Sequence, residues 1–582
     1  MNYRWTLSLQ EPDPTRAMAS ELGISSLLAQ CLLNRGLREI KSAREFLDPR
    51  LKRLSDPFLQ QGMSAAVDRL YAAMANNESV LVFGDYDVDG VTSTAILLEV
   101  FKVLGIQAAH YLPHRREDGY GLSLDTVRRC LEIHPTRLLV AVDCGSTATE
   151  TIQWLGEQGV DVVVLDHHQI SAPPPPALAL VNPLAGRSGP EDSDGPTGGS
   201  PCSAGLAFKL AHALMKRGRE KGLAAAERYD LKSLLDLVAL GTIADLVPLT
   251  GENRIFASAG MKCLNTTTRP GLIALKEVAQ AGGDIGVHGV GFQLAPRLNA
   301  AGRLGDADVA LRLLMCSGAG EASELVALLD SSNRERQDIE RVITSEVVRA
   351  VKSKFNPDTD YAIVEGNESW HVGVVGIVAA RVMRQFYRPT IILGGESGEW
   401  RGSGRSIEGF DLAAALGACG DVLLRHGGHA MAAGLSIRSD RVDEFRGRLN
   451  DFARKSIALE LLQPPLEVDA EVTLSQMTIE RVEELRALEP VGHGNRGVGF
   501  VVRGVRCQRP PVTLGKERQH LKLWVTDGAE TRETLWWKPG EAQAPDGVFD
   551  LAFAPEINEF NGRRTVNFKL LDWRPVRAVI NA

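Results

Sequence analysis

No two of the eight cysteines form a CxxC pair: Cys31, Cys130, Cys144, Cys202, Cys263, Cys316, Cys419 and Cys507 are scattered along 582 residues. That spacing argues against a zinc ribbon or a disulfide scaffold, and for a reducing, cytoplasmic setting. No apolar run reaches the roughly 18 residues needed to cross a bilayer. The opening MNYRWTLSLQEPDPTR lacks the basic-then-apolar pattern of a secretory leader. An excess of positive charge is missing too. The formal net charge of −8 argues against indiscriminate polyanion binding but leaves room for a local basic groove, since phosphate contacts act within about 10 Å. Finally, no GxxxxGK[ST] occurs, which sets aside a nucleotide P-loop.

What is present is long enough for several cores. Residues 17–75 read mostly as helix. From Val80 the period changes: SVLVFG is a short buried strand, and VTSTAILLEVFKVLG is a helix ended by Gly105. RLLVAVDCG and VDVVVLDHH are two further apolar strands, and the alternation of strand and helix predicts a parallel sheet covered on both faces. In such sheets ligands bind beyond the carboxyl ends of the strands. Those ends carry Asp85, Asp87, Asp89, Asp143, Asp166 and His167. PPPP at 173–176 and the stretch 187–201 have loop composition, and Asp245 closes an apolar helix in LGTIADLVPL. Residues 320–355 predict one long amphipathic helix, a connector between domains. YAIVEG and PTIILGG flank the helix VVGIVAARVMRQF in a second α/β domain. Short alternating strands then predict a small antiparallel barrel or sandwich. The expected divisions are a helical segment 1–45, a catalytic α/β domain 46–250, a helical region 251–355, a second α/β domain 356–458 and a small β-domain 465–582. The expected class is therefore α/β: two α/β domains joined by a long helix, plus that small β-domain.

The stretch GDYDVDG crowds three carboxylates, and each raises the cost of ionising its neighbours unless a cation sits among them. It matches the opening of a calcium-binding EF-hand loop, but the twelfth position is Ile96 rather than a bidentate glutamate, and a strand enters where a helix should. A pair of hard divalent cations fits better. Asp87 and Asp89 would face different ions and Asp143 would bridge them. His167 and Asp245 would complete the shell, a donor set that suits manganese, with magnesium as substitute. Two such ions polarise a phosphoryl group and activate water, which is machinery for cutting phosphate esters.

DYDVDG, the isolated DCG, LDHH and ADLVPL together resemble the four motifs of the DHH phosphoesterase superfamily. Several members place a histidine four residues before the position of Asp87, where this chain has Phe83; Asp85 is expected to take that ligand place. WHVGVVGIVAARV, SGRS and HGGHAMAAG resemble the substrate domain associated with DHH enzymes. That match nominates Ser403, Arg405, Gly427, Gly428 and His429 as phosphate-binding residues; GGH alone also fits a plain tight turn, a reading that SGRS nearby weakens. APRLNAAGRL adds Arg297, Asn299 and Arg303 as candidate phosphate contacts. The resemblance covers about residues 45–575, implies that the small β-domain is an OB-like barrel, and points to the single-strand exonucleases of the superfamily.

What it implies is a single-stranded-DNA-specific exonuclease. It would work 5′→3′ by a two-metal mechanism, release 5′-mononucleotides and serve recombination and repair. Asp85, Asp87, Asp89, Asp143, His167 and Asp245 would hold the ions. His168 would contact the scissile phosphate or support the leaving oxygen, and Asp166 would orient its neighbours. Implied partners are a single-strand-binding protein and a helicase, and a monomer is expected. In the barrel Arg503, Arg506, Lys516, Arg518 and Lys522 form a basic run beside Trp524, Trp536 and Trp537, suited to single strands, although tryptophans there read more simply as core. Two other readings remain at this point. One is a phosphodiesterase for short oligonucleotides or cyclic dinucleotides, which could manage without the barrel. The other is a non-catalytic single-strand-binding protein on a degenerate nuclease scaffold.

Overall fold

The computed structural model describes residues 3–114, 121–186, 199–395, 398–540 and 542–576. Most of the loop expected at 187–201 lies outside them. Contacts divide the chain into two units. One holds Pro296–Leu466; the other holds Trp5–Pro113, Tyr120–Ala295 and Glu467–Ala582.

In the larger unit a parallel sheet is built from β1 (Val80–Phe83), β2 (Ala108–Tyr111), β3 (Leu138–Val142), β4 (Asp161–Leu165) and β5 (Ala179–Val181), in the order β2-β1-β3-β4-β5. The chain leaves β1 toward β2 and then crosses back to β3, so the direction of winding reverses between β1 and β3. That reversal opens the crevice where doubly wound sheets bind ligands. Register makes the strand ends level: Phe83 pairs with Ala141, Ala141 with Val164 and Val142 with Leu165. The loops after β1, β3 and β4 therefore emerge side by side. Leu81, Phe83, Leu139, Ala141, Val162 and Val164 alternate onto one face, under the helices Leu124–Ile133 and Thr149–Glu157.

On the other side α1 (Val88–Leu104) packs with α2 (Ser203–Glu220) and α3 (Leu235–Ala244). α1 and α3 are apolar nearly all round and almost fully buried, as such helices must be. α4 (Gly251–Asn265) follows, carrying Arg254, which is 2% exposed. Its guanidinium donates to the carbonyls of Phe46, Ala487, Leu488, Glu489 and Pro490 and lies 3.8 Å from the Phe46 ring centroid. One side chain thus ties the N-terminal helices and the approach to the barrel to the catalytic domain.

The barrel contains strands Phe500–Cys507, Val512–Leu514, His520–Thr526, Thr531–Trp537, Val548–Phe560 and Arg563–Pro575. It closes where Arg506 and Cys507 pair with Thr526 and Val525. Its core is continuous with the N-terminal helices: Leu28, Leu32 and Phe46 join Phe500, Phe549 and Phe553 in one cluster. The sequence pattern of neither segment announces this partnership.

In the smaller unit α5 (Ala295–Leu304) precedes a 36-residue helix, α6 (Ala319–Lys354). α6 is no bare strut, since Ile343, Val347 and Val351 pack with Val375, Val378 and Ile392. The unit's sheet runs Arg425–Gly428, Ala432–Arg438, Glu399–Arg405, Thr390–Gly394, Ile363–Asn367, with α7 (Val375–Phe386) on one face. Among the described residues no helix is long and apolar enough to cross a membrane.

Candidate active site

The acidic stretch divides its labour by position. β1 ends at Phe83, whose ring joins the core and stacks on Tyr111 at 5.6 Å between centroids. Asp85 follows in the loop and is 2% exposed. Asp87 and Asp89, expected at a strand end, sit instead at the start of α1. Asp87 is the N-cap, and its Oδ1 accepts from the Asp89 and Gly90 amides at 2.9 and 3.2 Å. Gly90 has a steric reason: a Cβ there would lie 2.4 Å from the Asp85 carbonyl oxygen. No other residue lets the helix begin this close to the Asp85 backbone.

Asp89 points into the start of α2, where the Ser203 and Ala204 amides each donate to one of its carboxylate oxygens at 2.8 Å. Ser203 also donates through Oγ to Asp143 Oδ1 at 2.9 Å. Asp143 occupies the left-handed region at φ 63°, a strained choice for aspartate, and is 1% exposed. Burial, and then the neighbouring carboxylates of Asp89, Asp87, Asp245 and Asp85, push its pKa well above the ordinary range. Asp245, the residue capping α3, is raised for the same reasons, burial first and then Asp89 and Asp87.

His167 is the hub. Its Nε2 lies 3.4 Å from Asp245 Oδ2, 3.5 Å from Asp143 Oδ1 and 3.8 Å from Asp89 Oδ2. These separations exceed hydrogen-bond length, and His167 Nε2 and Asp245 Oδ2 are both buried without a hydrogen-bond partner. The ligand atoms of Asp89, His167 and Asp245 all fall within 4.8 Å of one another, close enough to share one ion. Burial lowers the pKa of His167, which keeps the imidazole neutral and fit to ligate. Three groups of ligand atoms each fall within 4.8 Å: Asp85, Asp87 and Asp143; Asp89, His167 and Asp245; and Asp143, His167 and His168. The residues present therefore fit divalent ions, with Asp143 reaching both sides.

Asp166 is turned away from that cluster. Its Oδ1 accepts from His168 Nδ1 at 2.7 Å, and its Oδ2 accepts from the Ser146 amide at 3.0 Å. Burial alone would raise its pKa, but these hydrogen bonds and the His168 charge outweigh it and hold the carboxyl at about 2. Asn182 completes the support, donating to Ser146 Oγ and the His168 carbonyl, each at 2.9 Å. Sequence reading missed Ser203, Ser146 and Asn182. Ser203 has a helix-start signature, but nothing local says which carboxylates it holds.

The residues assigned to phosphate binding lie in the smaller unit. Ser403, Gly434 and Gly427 form a row across three strands. Arg405 Nη1 donates to Ser403 Oγ at 2.9 Å. A Cβ on Gly376, in the first turn of α7, would lie 2.9 Å from Ser403 Oγ, so the helix start abuts this pair. Gly428 has φ 136° and His429 is exposed at the hairpin tip, its amide donating to the Ala432 carbonyl at 2.8 Å. Arg303 reaches the Gly373 carbonyl at 3.3 Å, beside α7. Arg297 Nε lies 2.9 Å from Asp330 Oδ1 on α6, a carboxylate that Arg334 also approaches. Asn299 is half-buried on α5.

The basic run of the barrel is thinner in space than in sequence. Arg503 pairs with Asp550 and Glu471, and Lys522 with Glu533 at 2.7 Å. Arg506, Lys516 and Arg518 are exposed. Trp536 packs against the core, Trp524 lies under Arg509 at 3.4 Å, and Trp537 is half exposed beside His520. One reading of the tryptophans as core holds for Trp536 and not for Trp537.

Comparison with known proteins follows the same division. The DHH family N-terminal domain matches residues 79–242, the DHHA1 domain 358–455 and the RecJ OB domain 468–572. The chain is 35% identical to the single-stranded-DNA-specific exonuclease RecJ of Escherichia coli over 584 residues, 97% of this chain and 98% of that protein. The crystal structure of Thermus thermophilus RecJ in complex with Mn2+ superposes with a TM-score of 0.83 at 30% identity, covering 99% of this chain and 80% of that one. Its Mg2+ complex gives 0.76 at 28% identity, with 99% and 79% covered.

Proposed function

Since the chain belongs to the RecJ family of single-stranded-DNA-specific exonucleases, we propose that it degrades single-stranded DNA from the 5′ end by hydrolysing phosphodiester bonds. The observation that carries this reading is the His167 cluster, with its three carboxylates 3.4–3.8 Å from Nε2 at the switch point of the sheet. The protein is a metal-dependent hydrolase, and manganese or magnesium, when bound, supplies the Lewis acidity that polarises the scissile phosphate.

Asp85, Asp87, Asp89, Asp143, His167 and Asp245 would hold the ions, with Ser203 fixing the Asp143 carboxylate that two of the three groups share. His168 acts on the substrate. Its Nδ1 is held by Asp166, which fixes the ring orientation and with it the direction of Nε2, the atom assigned to the substrate. Asp166 also favours the protonated ring: burial pulls the His168 pKa down, but the Asp166 hydrogen bond and charge raise it above the ordinary value. A protonated Nε2 donates to a phosphate oxygen or to the leaving 3′ oxygen. Ser403, Arg405 and the amides at the start of α7 bind a second phosphate of the strand, and the side-chain-free Gly427 and Gly434 let the backbone approach.

The finer features are part of the same proposal. Eight free thiols suit a reducing cytoplasm. A single-strand-binding protein and a helicase are the partners the family suggests, and the enzyme acts as a monomer. Digestion of 5′- and 3′-labelled single and double strands with Mn2+ or Mg2+ tests the reading. Release of labelled mononucleotide from the 5′-labelled single strand at the outset is expected. Equal attack on duplex, or progressive shortening from the 3′ end, would overturn it.

A further inference from the structure

One apolar cleft in the larger unit belongs to none of the assignments above. Leu246 follows the candidate ligand Asp245 directly, takes φ 62° and is 67% exposed. A bulky side chain in the left-handed region and facing water is costly on both counts, and such strain persists where the surrounding structure imposes it. The imposition is visible: the Leu249 amide donates to the His493 carbonyl at 2.7 Å, clamping the loop after α3 against the turn before the barrel. Across the cleft Phe292 is 65% exposed and stacks on His288, with centroids 4.6 Å apart and rings inclined by 26°. Phe292 rides on a π-helical turn, Val290–Leu294, an irregularity frequent at functional sites. The space between measures about 240 Å³, and its described lining includes no Asp, Glu, Lys or Arg.

We propose that Leu246 and Phe292 form a platform for nucleobases of the strand being cut. This rests on the nuclease reading of the His167 cluster. Consecutive Cα atoms are about 3.8 Å apart, so the cleft begins one residue from a metal ligand. A strand whose phosphate lies at the cluster must place its bases within reach of that neighbourhood. Bases are the flat, uncharged part of such a substrate, and an exposed, ring-backed phenyl face with an uncharged floor is what they stack on. Stacking accepts every base, as an enzyme that consumes a strand irrespective of sequence requires.

The test crosses enzyme and substrate. Phe292→Ala, Phe292→Trp and Leu246→Ala are compared with the wild-type protein. Substrates are a 5′-labelled oligonucleotide and the same strand carrying abasic residues near its 5′ end. Phe292→Ala is expected to lower kcat/KM on the normal strand by about 5- to 150-fold, the range of one lost stacking contact. Leu246→Ala should lose less, and Phe292→Trp should retain wild-type rates. On the abasic strand wild type and Phe292→Ala should cleave alike. Because Phe292 is exposed, the alanine variant should melt with the wild type, and Leu246→Ala repeats the measurement at a second position. If active wild type is matched by Phe292→Ala on the normal strand, as a docking site for a partner protein would predict, the platform is wrong. An equal loss on both strands also overturns it. A wild-type protein inert on single strands with Mn2+ overturns the nuclease reading, and the platform falls with it.

Discussion

Replacing Asp143 by asparagine should make the metal-free protein more stable while destroying its activity. The Asp143 carboxylate is buried, and its oxygen shares a space 4.8 Å wide with ligand atoms of Asp85 and Asp87. At that separation and an effective dielectric of about 20, each pair of like charges costs about 3 kcal/mol. Burial and these neighbours raise the folded-state pKa well above 3.8. Between the unfolded and folded values the folded protein holds more protons, so its stability falls as pH rises through that window. Asparagine is neutral at every pH and still accepts from Ser203 Oγ. In a chelator at pH 8 Asp143→Asn should therefore gain about 1–3 kcal/mol, or about 2–10 °C in the transition of its unit, and the gain should vanish near pH 4. Mn2+ should reverse the order, raising the melting temperature of wild type and barely that of the variant. Cleavage should fall about a thousandfold or more, since several kcal/mol of transition-state stabilisation go with the ions. Thermal denaturation with and without Mn2+ at the two pH values, beside a labelled-strand assay, measures all three. A variant less stable than wild type in chelator at pH 8, or one stabilised equally by Mn2+, would refute the reasoning.

Asp166→Asn should cost about 2 kcal/mol at pH 7, because a carboxyl held at about 2 rather than 3.8 contributes stability that is present above 3.8 and lost as pH falls toward 2. Its turnover should drop about 100-fold or more through a mis-set His168, with Mn2+ affinity nearly kept; unchanged turnover would make Asp166 structural only. Arg254→Met leaves five carbonyls without their buried donor and should lower stability by about 3–5 kcal/mol, read in urea unfolding of the larger unit. Arg405→Ala should weaken oligonucleotide binding and make the dependence of log K on log salt shallower by about one; an unchanged slope would remove Arg405 from the phosphate contacts.

Much of the site was legible because strand ends in a parallel sheet obey a rule. Once SVLVFG, RLLVAVDCG and VDVVVLDHH read as strands, Asp85, Asp143 and His167 had to meet at one edge, and level register brings them there. What escaped are the groups that hold the ligands in place. Ser203, Ser146 and Asn182 act on the site through hydrogen bonds that span as many as 114, 36 and 36 residues of sequence, which no local pattern encodes. The same holds for Arg254, whose bonds reach back 208 residues and forward as many as 236. It also explains why cutting the chain before the barrel is a poor probe of function. The apolar positions of the N-terminal helices were visible, but that their partner is the barrel core was not. Removing residues from about 467 onward would strip Leu28, Leu32 and Phe46 of that partner and leave Arg254 with fewer acceptors, so point substitutions on the barrel surface are the sharper instrument.

Phe83 shows how far a departure from a family pattern can be reasoned through. Where several relatives carry a ligand, this chain has a ring that joins Leu81, Leu139 and Ala141 beneath two helices and stacks on Tyr111. Side chains alternate along a strand, so Phe83 belongs to the core face for the same reason Leu81 does. The acidic side chain available on the loop beyond is Asp85, two residues later. The Gly90 turn allows its backbone to lie close over the start of α1, and its carboxylate reaches the group formed with Asp87 and Asp143. A carboxylate standing in for an imidazole at this place would add negative charge to a cluster whose aspartates are already pushed up in pKa by burial and by one another. That charge is relieved either by protonation or by bound cations. With Asp85 as a ligand the site would hold more oxygen and less nitrogen among its donors, which would favour manganese and magnesium over zinc.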